Sequence, residues 1–281
     1  MIKRILLPLD ASPFTAAATE AACVLAKDHD AQITGLVVLD IPGIEKSIGA
    51  VPLGAGHYAK RLEGSRREEA EKLVDELLVT FRAKCEAEGV PCQEAEAQGT
   101  PHEQIIDESF YYDALVMGLR TFYRFDPEGN PGDALDKILE HSVTPVMGIP
   151  ELYVKPVPGT RVKSLILFDG SLPAARSLQR FAQMARPEST DATLVMAGSD
   201  EELANYQLKR ATHYLAAHGF DAVRSEWTED DIVEAVDERY LEAADLVVLG
   251  AHSKVAIIDF LIGSLARHLI EVARKPILIG Q

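Results

Sequence analysis

With 281 residues the chain is long enough for about two domains, each able to bury its own core. Its 47% hydrophobic and 26% charged residues are interspersed, which excludes a disordered or fibrous chain. A net charge of −16, from 28 basic and 44 acidic side chains, repels phosphate backbones and anionic lipid, and so argues against nonspecific binding to nucleic acid or membrane.

In chain order, MIKRILLPLD holds an apolar run too short for a signal peptide, and no apolar stretch anywhere reaches membrane-spanning length, so a cytoplasmic protein is expected. The run in Arg4–Leu9 predicts a first strand ended by Asp10, followed by a helix through AATEAACVLA on which Cys23 reads as a small core residue. Ile33–Asp40 predicts the second strand. Gly54-Ala55-Gly56-His57-Tyr58-Ala59 imitates a dinucleotide fingerprint but follows Pro52 and Leu53 in a glycine-rich loop, where the fingerprint needs a strand. Between Arg66 and Cys85, Ala70, Leu73, Val74, Leu77, Leu78 and Phe81 recur at helical spacing. A third strand ends in the turn Gly99-Thr100-Pro101, a fourth ends at Gly118, and Thr144–Pro150 supplies the last.

The same order then repeats. RILLPLDASP matches SLILFDGSLP, ITGLVVLD matches ATLVMAGSD, YDALVMGLRT matches ADLVVLGAHS, and TPVMGIP matches KPILIGQ, with the second copy shorter between its second and third strands. The boundary falls in a proline-containing linker, 151–160, which separates domains 1–150 and 161–281. Unbroken apolar strands alternating with helices predict two α/β domains, each a doubly wound parallel sheet. Residues 1–150 carry 14 basic and 25 acidic side chains (−11) and the remainder 14 and 19 (−5), so the second half is less hostile to an anion.

Ligands of such sheets bind beyond the carboxyl ends of the strands where the strand order reverses. There each half places an aspartate, Asp10 or Asp169, and two glycines, Gly118 and Gly132 or Gly250 and Gly263. The second half reads Gly250-x2-Ser253-x9-Gly263-Ser264: small residues let backbone N–H groups approach an anion, and Ser264 adds a hydroxyl at a helix N-terminus. The plain alternative is that Gly250 ends a strand and Ser264 caps a helix. His252, beside Ser253, is either a phosphate donor or a loop histidine, and His102 has the same ambiguity. The first half reads Gly118-x2-Thr121-x10-Gly132-Asp133, where the Asp133 carboxylate repels phosphate; Arg120 and Arg124 either offset it or are simply solvated. Trp227 stands near the lip of the second site. There is no P-loop, HExxH or Gly-x-Ser-x-Gly sequence, and Cys23, Cys85 and Cys92 show no disulfide or zinc spacing.

The repeat order, the Asp-x-Ser after each first strand, the Gly-x-Pro turn at 99–101 and the glycine pattern resemble the universal stress protein family, whose ATP-binding members carry Gly-x2-Gly-x9-Gly-(Ser/Thr). The resemblance spans nearly the whole chain twice and implies a tandem, Rossmann-like protein. It assigns the adenine end to Asp169, the base pocket to Met196, and ribose and phosphates to Gly250, Ser253, Gly263 and Ser264, beside which His252 stands as the loop candidate. Asp10, Val38, Gly118, Arg120 and Gly132 form the degenerate counterpart in the first half. Ser253 departs from the family's middle glycine, and Trp227–Asp231 replaces the second Gly-x-Pro turn. The implied function is stress-response binding of ATP, ADP or AMP, with or without Mg2+, and without dedicated catalysis. Alternatives are a nucleotide-free scaffold and a slow ATP hydrolase acting through Asp169 or His252. The family resemblance also implies pairing through the edge strands at Pro145–Met147 and Pro276–Leu278, as an internal pseudo-dimer and as a homodimer.

Overall fold

The computed structural model describes residues 2–49, 55–121, 134–251 and 263–280. The first half runs β1 (Arg4–Leu9), α1 (Phe14–His29), β2 (Gln32–Leu39), α2 (Ile41–Ile48), α3 (Gly56–Glu88), β3 (Cys92–Gln98), α4 (Pro101–Ser109), β4 (Ala114–Gly118), α5 (Ala134–His141) and β5 (Val146–Ile149). The second runs β6 (Val162–Leu167), α6 (Leu172–Met184), β7 (Thr190–Ala197), α7 (Glu201–Ala217), β8 (Val223–Thr228), α8 (Ile232–Ala235), β9 (Leu246–Gly250), α9 (Ser264–Val272) and β10 (Ile277–Gly280). None of the described helices is long and apolar enough to cross a membrane.

Strands β1, β4, β6 and β9 are buried because apolar side chains point to both faces: Ile5, Leu6 and Leu7 are each fully covered. One core lies on the face packed by α1, α3, α6 and α7 and runs through both halves; a second lies on the face packed by α4, α5 and α9. The helix expected from Arg66 is longer at its start. It begins at Gly56, so the second glycine of the fingerprint-like sequence opens a helix of 33 residues where a loop was expected. Its inner stripe is Ala70, Val74, Leu78, Phe81 and Cys85. Phe81 fits only because β2 has Gly35 beneath it, where a Cβ would come within 2.7 Å of the ring. The corresponding helix of the second half, α7, has 17 residues, and α2 has no counterpart there, which together account for most of the shortening of the second copy.

The strand order is β3-β2-β1-β4-β5-β10-β9-β6-β7-β8. Within each half all pairings are parallel, and the order reverses between β1 and β4 and again between β6 and β9. The halves join through β5 and β10, which pair antiparallel with Met147 opposite Leu278. This is the expected internal pairing, and it corrects the expected route to a homodimer. The edges at Pro145–Met147 and Pro276–Leu278 are hydrogen-bonded to each other within one chain, and the outer edges of the ten-stranded sheet are β3 and β8. Side chains reinforce the junction: His29 Nε2 donates to Met184 O at 2.7 Å, and Arg120 donates to Glu271 O at 2.9 Å.

Candidate functional site

Reversal of strand order separates the connections leaving β6 and β9, and a crevice opens between them above their carboxyl ends. A cleft of about 380 Å³ occupies this position in the second half, within the usual range for small-molecule sites. Five of the second half's expected residues line it together: Asp169 just past β6, Met196 near the end of β7, Gly250 at the end of β9, and Gly263 and Ser264 at the start of α9. The walls are apolar, with Leu167, Val195, Leu249 and Ile232 among them. Of the described lining residues, Asp169 is the one titratable side chain.

Asp169 is partly exposed, and its Oδ1 accepts the N–H of Ser171 at 2.9 Å. Its first-half equivalent is placed differently. Asp10 is buried, and its Oδ1 accepts from Ser12 N at 3.1 Å, Ser12 Oγ at 2.6 Å and Thr15 Oγ1 at 2.6 Å. One of the two side-chain donors is lost by substitution: Thr15 corresponds to Ala174, whose methyl cannot donate and which instead forms part of the cleft wall, while the hydroxyl of Ser171, the equivalent of Ser12, accepts from Ala174 N. The second aspartate is thereby left with a more exposed carboxylate that accepts fewer hydrogen bonds.

Helix α9 opens onto the cleft. Gly263 is its N-cap, no described side chain caps it, and the first backbone bond of the turn runs from Arg267 N to Gly263 O at 3.0 Å. The N–H groups of Ser264, Leu265 and Ala266 precede that bond, and all three residues line the cleft. By contrast α6, α7 and α8 are capped by Ser171, Asp200 and Asp231. Ser264 is therefore the first helical residue, not the cap that the plain reading made it. Gly250 does end its strand, and it has a packing reason of its own: a Cβ there would lie 2.8 Å from Ala174 N and from Pro173 C. Gly118 repeats this against Phe14, at 2.5 Å.

Trp227 lies one strand away, paired with Met196 across β7 and β8, and its indole donates to Gly198 O at 2.8 Å. The stretch that replaces the Gly-x-Pro turn is ordered by its own polar groups. Thr228 and Arg239 bond Asp230, while Asp231 caps α8 and so delivers Ile232 to the cleft. Ile232 and Ala174 were missed from sequence; the N-cap aspartate ahead of Ile232 was the available signal.

In the first half, Val38 is buried in the core near the end of β2 and Gly118 ends β4. A cavity of about 650 Å³ at Asp10 extends between α1 and α3, and its lining includes neither Val38 nor Gly118. Arg120, expected to offset Asp133, is engaged at the last turn of α9. His252, Ser253, Arg124, Gly132 and Asp133 lie outside the described residues. Among the described residues a divalent cation would meet a single carboxylate in the second cleft, and no cluster of three metal-ligating side chains exists, so these residues would hold Mg2+ only together with phosphate.

Cys23 on α1 and Cys92 on β3 converge on Cys85 of α3. The Cys23–Cys85 hydrogen bond, followed by burial, pushes the Cys85 thiol well above its ordinary range. Cys23 is fully buried in the core, as expected.

A family model described as the Universal stress protein family matches residues 1–150 and 181–280. Among solved structures, a universal stress protein from Archaeoglobus fulgidus DSM 4304 is 19% identical with a TM-score of 0.73, over 99% of this chain and 98% of its own. A functionally unknown protein from Pseudomonas aeruginosa PAO1 is 16% identical with a TM-score of 0.54, over 99% and 92%. A family protein from Arabidopsis thaliana, solved with AMP bound, is 23% identical over 52% of this chain and 90% of its own, with a TM-score of 0.35. No curated protein matches significantly. The family match spans well over half of the sequence, in two segments that fall on the two repeats, and the chain belongs to the Universal stress protein family.

Proposed function

We propose that the second half binds an adenine nucleotide, ATP, ADP or AMP, as a stress-response protein without dedicated catalysis. The observation that carries this reading is one cleft holding three different kinds of surface. Apolar walls from Leu167, Val195, Met196 and Ile232 suit a base, Asp169 offers an acceptor to an exocyclic amine or ribose hydroxyl, and the start of α9, which no described side chain caps, presents N–H groups to phosphate. Among the described lining residues a single carboxylate stands without a partnering base, which supports binding over turnover. Domain limits at 1–150 and 161–281, a cytoplasmic setting and an inert or weakly binding first half belong to the same proposal. Association of whole chains is assigned to surfaces other than β5 and β10; light scattering that shows a strict monomer at high concentration removes it.

The test is calorimetric titration of nucleotide-stripped protein with ATP and Mg2+, beside a Gly263→Val variant whose side chain obstructs the phosphate end. Saturable binding near one per chain, lost in the variant, supports the reading. No heat at millimolar ATP refutes it and leaves the scaffold alternative. Phosphate release that depends on Mg2+ and disappears in Asp169→Ala would establish hydrolysis instead.

A further inference from the structure

At the opposite end of the strands from the nucleotide cleft lies a second cavity, of about 250 Å³, on the seam between the halves. Its floor is made by β5, β10, β9 and β6, its sides by α1 and α6, and its roof by the segment from Tyr153 to Val157. It shares no residue with the nucleotide cleft. Ser164 lines it, is only 2% exposed, and its hydroxyl makes no hydrogen bond. A buried hydroxyl left unpaired forfeits its hydration with nothing in return, so it needs a reason.

The repeat supplies an internal control. Asp113 exchanges bonds with the backbone of Arg4 in the first half, and Asp245 does the same with Lys163 in the second, which fixes Arg4 as the equivalent of Lys163. One residue on, Ile5 is the equivalent of Ser164, facing the same side of the sheet and fully buried. An isoleucine is thus compatible with the strand at this position. The second half has a smaller residue with a polar group, and a cavity beside it.

Charges around the cavity are already matched. Arg161 bonds Asp191 and Asp221, Arg186 pairs with Glu188, Lys155 reaches Glu88, and Asp245 accepts from Lys163 N. Asp28, at the rim, is exposed to water. The remaining surface is mainly aliphatic and aromatic, including Val24, Phe181, Met184 and Leu278, and burial pushes the Tyr153 phenol up to about 12. An apolar cavity of about 150 Å³ already accepts benzene. We propose that this inter-half cavity is a binding site for a small neutral molecule with an apolar body and one hydrogen-bonding group, which meets Ser164 Oγ.

The test uses the full chain with indole and 1-hexanol as aromatic and aliphatic probes, read by equilibrium dialysis and by thermal melting. Saturable binding of at least one probe near one per chain is expected. Ser164→Ile, which restores the first half's residue, should melt higher without probe and lose probe binding by at least tenfold. Ser164→Ala keeps the space and should bind about tenfold more weakly, the loss of one neutral hydrogen bond. Failure of both probes to saturate, as expected of a cavity that holds ordered water only, overturns the proposal. So does undiminished binding in Ser164→Ala, which also decides the matter should Ser164→Ile fail to fold.

Discussion

Replacing Ala174 with threonine transplants into the second half the hydroxyl that occupies the first half's aspartate. In the first half Thr15 Oγ1 stands 2.6 Å from Asp10 Oδ1, a charge-assisted contact. Such a bond contributes about 1.5–3 kcal/mol. A nucleotide that uses Asp169 would have to break it, so ATP affinity should fall roughly tenfold to a hundredfold, since about 1.4 kcal/mol is a factor of ten. The added side chain also takes space from the cleft, because Ala174 is part of its wall. Stability should be unchanged or higher, as the new hydroxyl is satisfied. Calorimetry measures the affinity and a melting curve shows that the variant is folded. A folded Ala174→Thr protein that binds ATP as tightly as the parent would refute the assignment of Asp169 to the ligand and the account of why the two halves differ.

Gly250→Ala should destabilise by about 1–3 kcal/mol in urea titration, since its Cβ would meet backbone atoms at 2.8 Å that cannot turn away; a change below about 0.5 kcal/mol would mean the strand end and α6 are not so closely packed. Native protein should offer one slowly reacting thiol to a soluble disulfide reagent, Cys92, which is partly exposed but raised in pKa by burial, with Cys23 and Cys85 appearing only on unfolding. Three thiols reacting together in the native state would contradict the packing of α1 on α3. Glu88 is held at about 2, below its ordinary 4.5, by hydrogen bonds from Lys27, Lys84 and Lys155. The folded-state value is depressed, so its contribution is complete above pH 4.5 and is lost as pH falls toward 2; Glu88→Gln should flatten the dependence of melting temperature on pH in that window. A profile parallel to that of the parent protein would show that these lysines do not stabilise the carboxylate.

Local chemistry made much of this readable. Asp169, Gly250, Gly263 and Ser264 could be named from sequence because each ends or begins an element, and the strand order of a doubly wound sheet sends all such ends to one crevice; Met196 came from the family resemblance. Ile232 and Ala174 were not legible, since whether a side chain reaches that crevice depends on how α8 and α6 lean across it. The substitution of Ala174 for Thr15 is plain in the aligned repeats, yet its meaning required knowing that the threonine hydroxyl lies on the aspartate. Arg120 read as a phosphate contact because only its own loop was considered; its partner, Glu271, belongs to the other half. Cys23, Cys85 and Cys92 looked unrelated because helical packing, not spacing, brings them together.

Joining β5 to β10 within one chain removes concentration from the assembly of the ten-stranded sheet. Two separate copies would have to find each other and would drift apart on dilution, whereas tethered halves meet at a fixed effective concentration. A symmetric pair must also carry every substitution twice. Here each half can change alone, so Asp10 can be sealed by Thr15 while Asp169 stays open, and Ile5 can fill the core while Ser164 leaves room. Holding both halves in one chain thus allows one site to specialise without its twin.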